Sequence, residues 1–99
     1  MDRAPPITTL RYEMGFEPAE FHRLLPAVAA VEYDAGLAEF RHVEDGRSWR
    51  LRLIDPRQRR IANLRLPAVD AEFVFRGYAK AEVEAVMARF FACFRRAGG

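Results

Sequence analysis

Arg47–Leu66, RSWRLRLIDPRQRRIANLRL, is the stretch from which the rest of the architecture is predicted. Apolar residues alternate with arginines over Trp49–Leu53, which is the period-two pattern of a strand with one face buried and the other in water. Asp55-Pro56-Arg57-Gln58 has the residue types of a turn. The stretch is therefore predicted to form two strands separated by this turn, with Leu64 and Leu66 facing the core.

The strand before this stretch is predicted over Leu37–Glu44. Asp45-Gly46 follows it, and this dipeptide favours a type I′ hairpin turn because both central positions of that turn need a positive φ. The turn pairs Glu44 with Arg47. Counting back along both strands then sets two further pairs on the outward face, Glu39 with Arg52 and Arg41 with Arg50.

The residues before this hairpin predict one strand and one short helix. Ile7–Met14 alternates in the manner of a half-buried strand. A helix is predicted to start at Glu17-Pro18, since proline suits the first helical position, and Phe16 and Phe21 have the spacing of a hydrophobic staple. Pro26 is expected to end or kink this helix near Leu25. Residues 27–36 are expected to pass from irregular helix into a loop.

The residues after the stretch predict a further strand and a long helix. Pro67-Ala68 is expected to turn the chain, and Ala71, Phe73 and Phe75 then continue the apolar sheet face, with Asp70 and Glu72 near Arg65 and Asn63 on the other face. Ala79–Arg96 is predicted to be helical, because its apolar residues recur at helical spacing: Val83, Val86, Met87, Phe90 and Phe94.

These elements predict an α+β two-layer sandwich in the order β-α-β-β-β-β-α. Its antiparallel meander sheet would carry both helices on one face, because every apolar stripe needs the same partner layer. The order resembles the TATA-binding-protein-like, or helix-grip, group of folds. With 99 residues the chain is one domain, expected over 7–97 after a disordered tail at 1–6.

Composition narrows the function classes. No uncharged run is long enough to span a bilayer and no signal peptide is visible, so the cytoplasm is the expected location and no membrane partner is expected. One cysteine, Cys93, and two histidines do not suffice for an ordinary structural metal site, and no cofactor is predicted. Phosphate-binding loops and the common catalytic motifs are absent, which makes an enzyme an unfavoured hypothesis.

Two residues are candidates for a chemical role. His42 is expected on the inner sheet face beside Trp49, where a histidine could act as an acid or base. A stacked histidine at the open end of the core is the stronger interpretation, because no reacting group is indicated nearby. Cys93 beside Phe94 is interpreted as a small apolar residue.

The remaining functional signal is charge. Arg47–Arg65 holds seven arginines and one acid, a local net charge of +6 in a chain of net charge +2. Arginine suits bidentate contacts with phosphate and carboxylate. The candidate binding surface consists of Arg47, Arg50, Arg52, Arg57, Arg59, Arg60 and Arg65.

Three functions follow as hypotheses, beside a purely structural, salt-bridged sheet face. The leading one is a small non-enzymatic binding or adaptor domain that engages a protein partner through the outer sheet face or the sheet edge. Nucleic-acid binding through the same surface is the second, weakened by the lack of outward aromatic residues. The third is an apolar small ligand held between the C-terminal helix and the sheet. A homo-oligomer is also possible, with Phe91 as a contact.

Overall fold

The fold is one antiparallel sheet of five strands with two helices, seen in a computed structural model that describes residues 5–98. The elements are β1 (Ile7–Met14), α1 (Pro18–Leu24), β2 (Glu32–Asp34), β3 (Glu39–Glu44), β4 (Arg47–Ile61), β5 (Leu64–Arg76) and α2 (Lys80–Gly98). The strands lie in the order β1-β5-β4-β3-β2. The predicted α+β class, with an antiparallel sheet and two helices, is confirmed.

The predicted N-terminal tail covers residues 1–6, of which 1–4 lie outside the described residues. Pro6 is tied to the fold, because its carbonyl oxygen accepts a hydrogen bond from the backbone N–H of Gly77 at 2.9 Å.

Both helices cover the same face of the sheet, called here the inner face. Phe21 of α1 lies 5.0 Å from Phe94 of α2 between ring centroids. Phe90 of α2 meets Phe73 of β5 edge-on at 4.9 Å. All four rings are buried, so the core lies between the two helices and the inner face.

The first helix follows its sequence signals. Pro18 is its first residue, and the Glu20 carboxylate accepts a hydrogen bond from the Glu17 backbone N–H at 3.0 Å. Phe16 packs edge-on against Phe21. The helix ends at Leu24, and a 3-10 turn that contains Pro26 follows, as the proline predicts.

The register of β3 against β4 is confirmed. Glu44 pairs with Arg47, and the same register aligns Glu39 with Arg52. Asp45 and Gly46 both have positive φ, 43° and 77°, as a type I′ turn requires. The three-residue strand β2 within the predicted irregular segment was missed, because so short an edge strand has no periodicity to detect.

The predicted turn at 55–58 is wrong, because β4 continues through it. Ile54 pairs with Asp70 and Arg57 pairs with Ala68, so Asp55 and Pro56 together oppose one residue of β5. This is a β-bulge. Asp55 has a φ of 53°, a conformation that aspartate tolerates better than most residues. The residue types that favour a turn therefore also suit a bulge.

The predicted turn at Pro67-Ala68 is also wrong, since both residues lie within β5 and pair with β4. β1 ends at Met14 opposite Val69, so the edge of β5 is open beyond that point. An open edge tolerates a proline because no neighbouring strand needs its missing N–H. The chain turns instead at Ala62 and Asn63.

Residues 57–68 of the β4–β5 hairpin extend beyond the bulge and are called here the arm. Leu64 and Leu66 were predicted in the core, but they are 62% and 43% exposed. The bulge shifts the alternation of β4, so Arg57, Arg59 and Ile61 share the outer face with Arg52. Apolar alternation indicates a buried face only where another layer covers it, and the core includes no residue of 58–66.

Candidate functional site

The seven candidate arginines are divided among three environments. Arg47 lies on the inner face at the turn end of the β3–β4 hairpin, beside α2. Arg50 and Arg52 lie on the outer face of the sheet, beside Glu39. Four arginines belong to the arm: Arg57, Arg59, Arg60 and Arg65.

On the outer face, a buried carboxylate binds the arginines around it. Glu39 is only 3% exposed, and its Oε1 lies 3.4 Å from Arg52 Nη2 and 3.5 Å from Arg50 Nε. Arg41 Nη2 lies 3.8 Å from the other oxygen. A buried charge is tolerated when it is paired, so this group has a structural role at the centre of the sheet.

At the base of the arm, two arginines are bound to acids of neighbouring strands. Arg57 donates to Asp70 at 3.1 Å and also to Glu13. Arg59 donates to Glu13 at 2.7 Å. Hydrogen bonds from Arg11 and then from Arg57 lower the pKa of the Asp70 carboxyl. The predicted placement of Asp70 near Arg65 is wrong, since Asp70 lies opposite Ile54.

Farther along the arm, two arginines have no acid beside them. Arg60 and Arg65 are exposed register partners, and within the described part of the chain no carboxylate lies within 4.0 Å of either. Like charges directly opposite each other in a sheet are destabilising. This pair therefore retains its electrostatic cost in the isolated protein.

The other face of the arm is apolar at its tip. Ile61 pairs with Leu64, and Leu66 is the next residue on the same face. All three are exposed. Leu64 and Leu66 were missed as part of this surface because they were predicted to face the core, whereas Ile61 was predicted to face outward. The sequence signal for this tip is Ala62-Asn63. These two residues separate two alternating runs, and asparagine favours turns.

Near the turn of the β3–β4 hairpin, a second group of side chains lies between the sheet and α2. His42 Nε2 lies 2.5 Å from a Glu44 oxygen, and Nδ1 lies 2.6 Å from the carbonyl oxygen of Ala30. Both ring nitrogens are thus engaged with the protein. His42 lies beside Trp49, as predicted, with 5.5 Å between the ring centroids and 32° between the ring planes.

Arg47 links this group to α2. It donates to Glu44 at 2.8 Å and to Glu82, and its guanidinium carbon lies 4.4 Å above the Tyr78 ring. The pKa of Glu44 is lowered, chiefly by its hydrogen bond from Arg47 and next by that from His42. The pKa of Glu82 is lowered by the backbone N–H of Ala79 and then by Arg47.

Other candidate groups offer little chemistry. Cys93 is half-buried, and its Sγ lies 3.7 Å from the carbonyl oxygen of Leu24. Within residues 5–98, no three His, Cys, Asp or Glu side chains are arranged to hold a metal ion. No helix in the described part of the chain combines the length and apolarity needed to cross a bilayer.

Comparisons with known proteins add no assignment. No protein-family model matches the sequence, and no curated protein or solved structure is significantly similar to it.

Proposed function

We propose that this protein is a non-enzymatic binding module whose arm docks onto an acidic protein partner. The observation that carries the proposal is that one projecting hairpin has both an exposed apolar tip and an arginine pair. Among the described residues, no carboxylate lies beside this pair. The outer sheet face at Arg50 and Arg52 is less suited to binding an acidic partner, because both arginines already pair with Glu39.

The apolar tip supports a protein as the partner. Ile61, Leu64 and Leu66 lie together on one side of the arm and are 53%, 62% and 43% exposed. Contiguous exposed apolar residues commonly mark interaction sites. Burying these three side chains against a partner would form an apolar centre for the interface, which polar surfaces cannot provide.

The charge on the opposite side supports an acidic partner. Carboxylates beside Arg60 and Arg65 would replace the repulsion of this pair with ion pairs. The arm is also a two-stranded ribbon with open edges, and such ribbons are marginally stable in water. A partner that covers the arm would therefore stabilise it as well as bind it.

The test is to identify the partner through the arm and then measure its affinity. A photoreactive amino acid at position 64 should cross-link a protein in the source cells, whereas the same group at Val43, an exposed apolar residue of β3, should not. The cross-linked peptide of the partner should be acidic and should contain apolar residues. Purified partner and protein then allow titration calorimetry.

The decisive comparison is between the affinities of two double variants of the arm and those of control variants elsewhere. Arg60→Glu with Arg65→Glu, and separately Leu64→Ser with Leu66→Ser, should each weaken binding more than about tenfold. Arg95→Glu with Arg96→Glu on α2 makes the same charge change on another exposed surface and should leave binding unchanged, as should Val43→Ser. Retained affinity in both arm variants would refute the proposal.

Nucleic-acid binding through the arm is the second candidate. A two-stranded ribbon fits the major groove of DNA, and arginine is a common phosphate ligand. This function would use Arg60 and Arg65 but gives no role to the apolar tip. Retardation of duplex DNA in a gel, abolished by Arg60→Glu with Arg65→Glu and declining steeply with salt, would favour it over a protein partner.

We also propose that the fold has the helix-grip topology. The strand order β1-β5-β4-β3-β2, with both helices on the inner face, supports it. Such a likeness concerns architecture alone, because one fold carries many functions.

A further inference from the structure

A cavity of about 220 Å³ lies between α2 and the inner face of the sheet, apart from the arm. Val28, Trp49 and Val86 provide apolar wall, while Glu44, Tyr78 and Arg89 are among its polar lining residues. Pockets for drug-sized ligands usually start at about 300 Å³, so the cavity suits a smaller molecule.

Tyr78 is one of the lining residues, and its hydroxyl is an unused polar group. Tyr78 is 3% exposed, and its buried oxygen has no hydrogen-bond partner among the described residues. An unsatisfied buried hydroxyl costs free energy, and a ligand is one way to remove that cost. Burial, followed by the charge of Glu44, raises the pKa of Tyr78 above 10.0, so the hydroxyl is a donor at neutral pH.

Neighbouring charged groups are already engaged. Nε and Nη2 of Arg47 both donate to Glu44, and its Nη1 donates to Glu82. His42 uses both ring nitrogens. A ligand must therefore find its donors elsewhere in the lining.

Arg89 supplies the second set of unused donors. Its one described hydrogen bond is a long one, from Nη1 to the carbonyl oxygen of Val28 at 3.4 Å. No carboxylate of the described residues lies within 4.0 Å of it. Arg89 is exposed, so its positive charge lies where the cavity opens to solvent.

The two donors are separated along α2. Tyr78 lies beneath Arg47, which binds Glu82, and Arg89 follows Glu82 by seven residues of α2. Seven residues rise about 10 Å along a helix. Trp49 and Val86 provide apolar surface in the same lining.

We propose that this cavity binds a small organic carboxylate that carries a second oxygen a few carbons away. The carboxylate pairs with Arg89, the carbon chain packs against Trp49 and Val86, and the second oxygen accepts a hydrogen bond from Tyr78. This site is independent of the proposed partner binding by the arm.

Trp49 makes the proposal directly measurable. It is the single tryptophan of the chain and lines the cavity, so its fluorescence reports occupancy. Three probes separate the two contacts: 4-oxopentanoate has both groups, pentanoate lacks the ketone, and 2-pentanone lacks the carboxylate. We expect 4-oxopentanoate to bind most tightly, by about tenfold over each of the others. An equal response to all three probes, or no response to any, would overturn the proposal.

Variants test the assignment of each contact. Tyr78→Phe should abolish the advantage of 4-oxopentanoate over pentanoate and should leave the melting temperature unchanged or raised, because the lost hydroxyl was unpartnered. Arg89→Gln should abolish the advantage over 2-pentanone, whereas Arg96→Gln, elsewhere on α2, should preserve it. Preserved selectivity in both cavity variants would refute the site, and a lower melting temperature in Tyr78→Phe would assign the hydroxyl a structural role.

Discussion

Glu13, at the end of the edge strand β1, accepts a hydrogen bond from Arg59 of the arm at 2.7 Å. The same carboxylate also binds Arg57, just beyond the bulge. β1 ends one residue later and gives the rest of the arm no paired neighbour. The base of the arm is therefore held by side chains, whereas the tip depends on the hairpin alone.

Glu13→Gln should loosen the arm without unfolding the domain. The substitution removes the charge that binds Arg57 and Arg59, and exposed ion pairs contribute only modestly to stability. Amide exchange in residues 57–61 should accelerate by about three- to tenfold, measured by hydrogen–deuterium exchange, while the melting temperature stays nearly constant. Glu84→Gln, which removes an exposed acid of α2 near Lys80, is the control and should leave exchange in the arm unchanged.

Glu39→Gln should destabilise the protein by about 1–3 kcal/mol, because it removes the buried charge that compensates Arg50 and Arg52. Urea unfolding followed by Trp49 fluorescence would measure the loss. Glu32→Gln, an exposed acid on the neighbouring strand β2, should cost less than about 0.5 kcal/mol. Equal effects of the two substitutions would contradict a structural role for Glu39.

Ala38→Gly should raise stability relative to Ala35→Gly by about 1 kcal/mol. Both alanines lie in the turn before β3, but only Ala38 has a positive φ, 51°, which is unfavourable for a residue with a Cβ. Glycine relieves this strain at position 38, whereas at position 35 it only adds freedom to the unfolded chain. Thermal unfolding of the two variants provides the comparison, and a less stable Ala38→Gly protein would count against strain in the turn.

Stability should fall as the pH is lowered from about 5 to about 3. The pKa values of Glu44 and Glu82 are lowered in the folded state by hydrogen bonds that include those from Arg47. A lowered folded-state pKa gives stabilisation that is present above the ordinary carboxyl pKa of 4.5 and lost as the pH falls through the folded value. Arg47→Met should reduce the drop in melting temperature over this range, and an undiminished drop would show that other carboxyls dominate.

Much of the fold could be predicted because its signals are local. Asp45-Gly46 requires a particular turn, and that turn determines which residues of β3 and β4 face each other. Pro18 and Pro26 delimit α1 for equally local reasons.

The arm could not be predicted, because the pairing of its strands and the exposure of its apolar residues depend on distant parts of the chain. Asp55-Pro56 has the same chemistry in a turn and in a bulge, and only pairing with β5 distinguishes the two. The alternation of Leu64 and Leu66 is the same whether a helix covers them or water does. They are exposed because pairing with β4 places them on the outer face, which neither helix covers, and no short stretch of sequence specifies that pairing.

The candidate sites show the same division. Sequence patterns alone place Arg60 and Arg65 in a segment rich in arginine, and place His42 beside Trp49 near a hairpin end. The tertiary structure decided which charges stay available: Glu39 pairs with Arg50 and Arg52, while Arg60 and Arg65 face each other. It also brought Tyr78 and Arg89 to one cavity. Local backbone preferences act over a few residues, whereas pairing of charges and closure of a cavity require segments that only folding brings together.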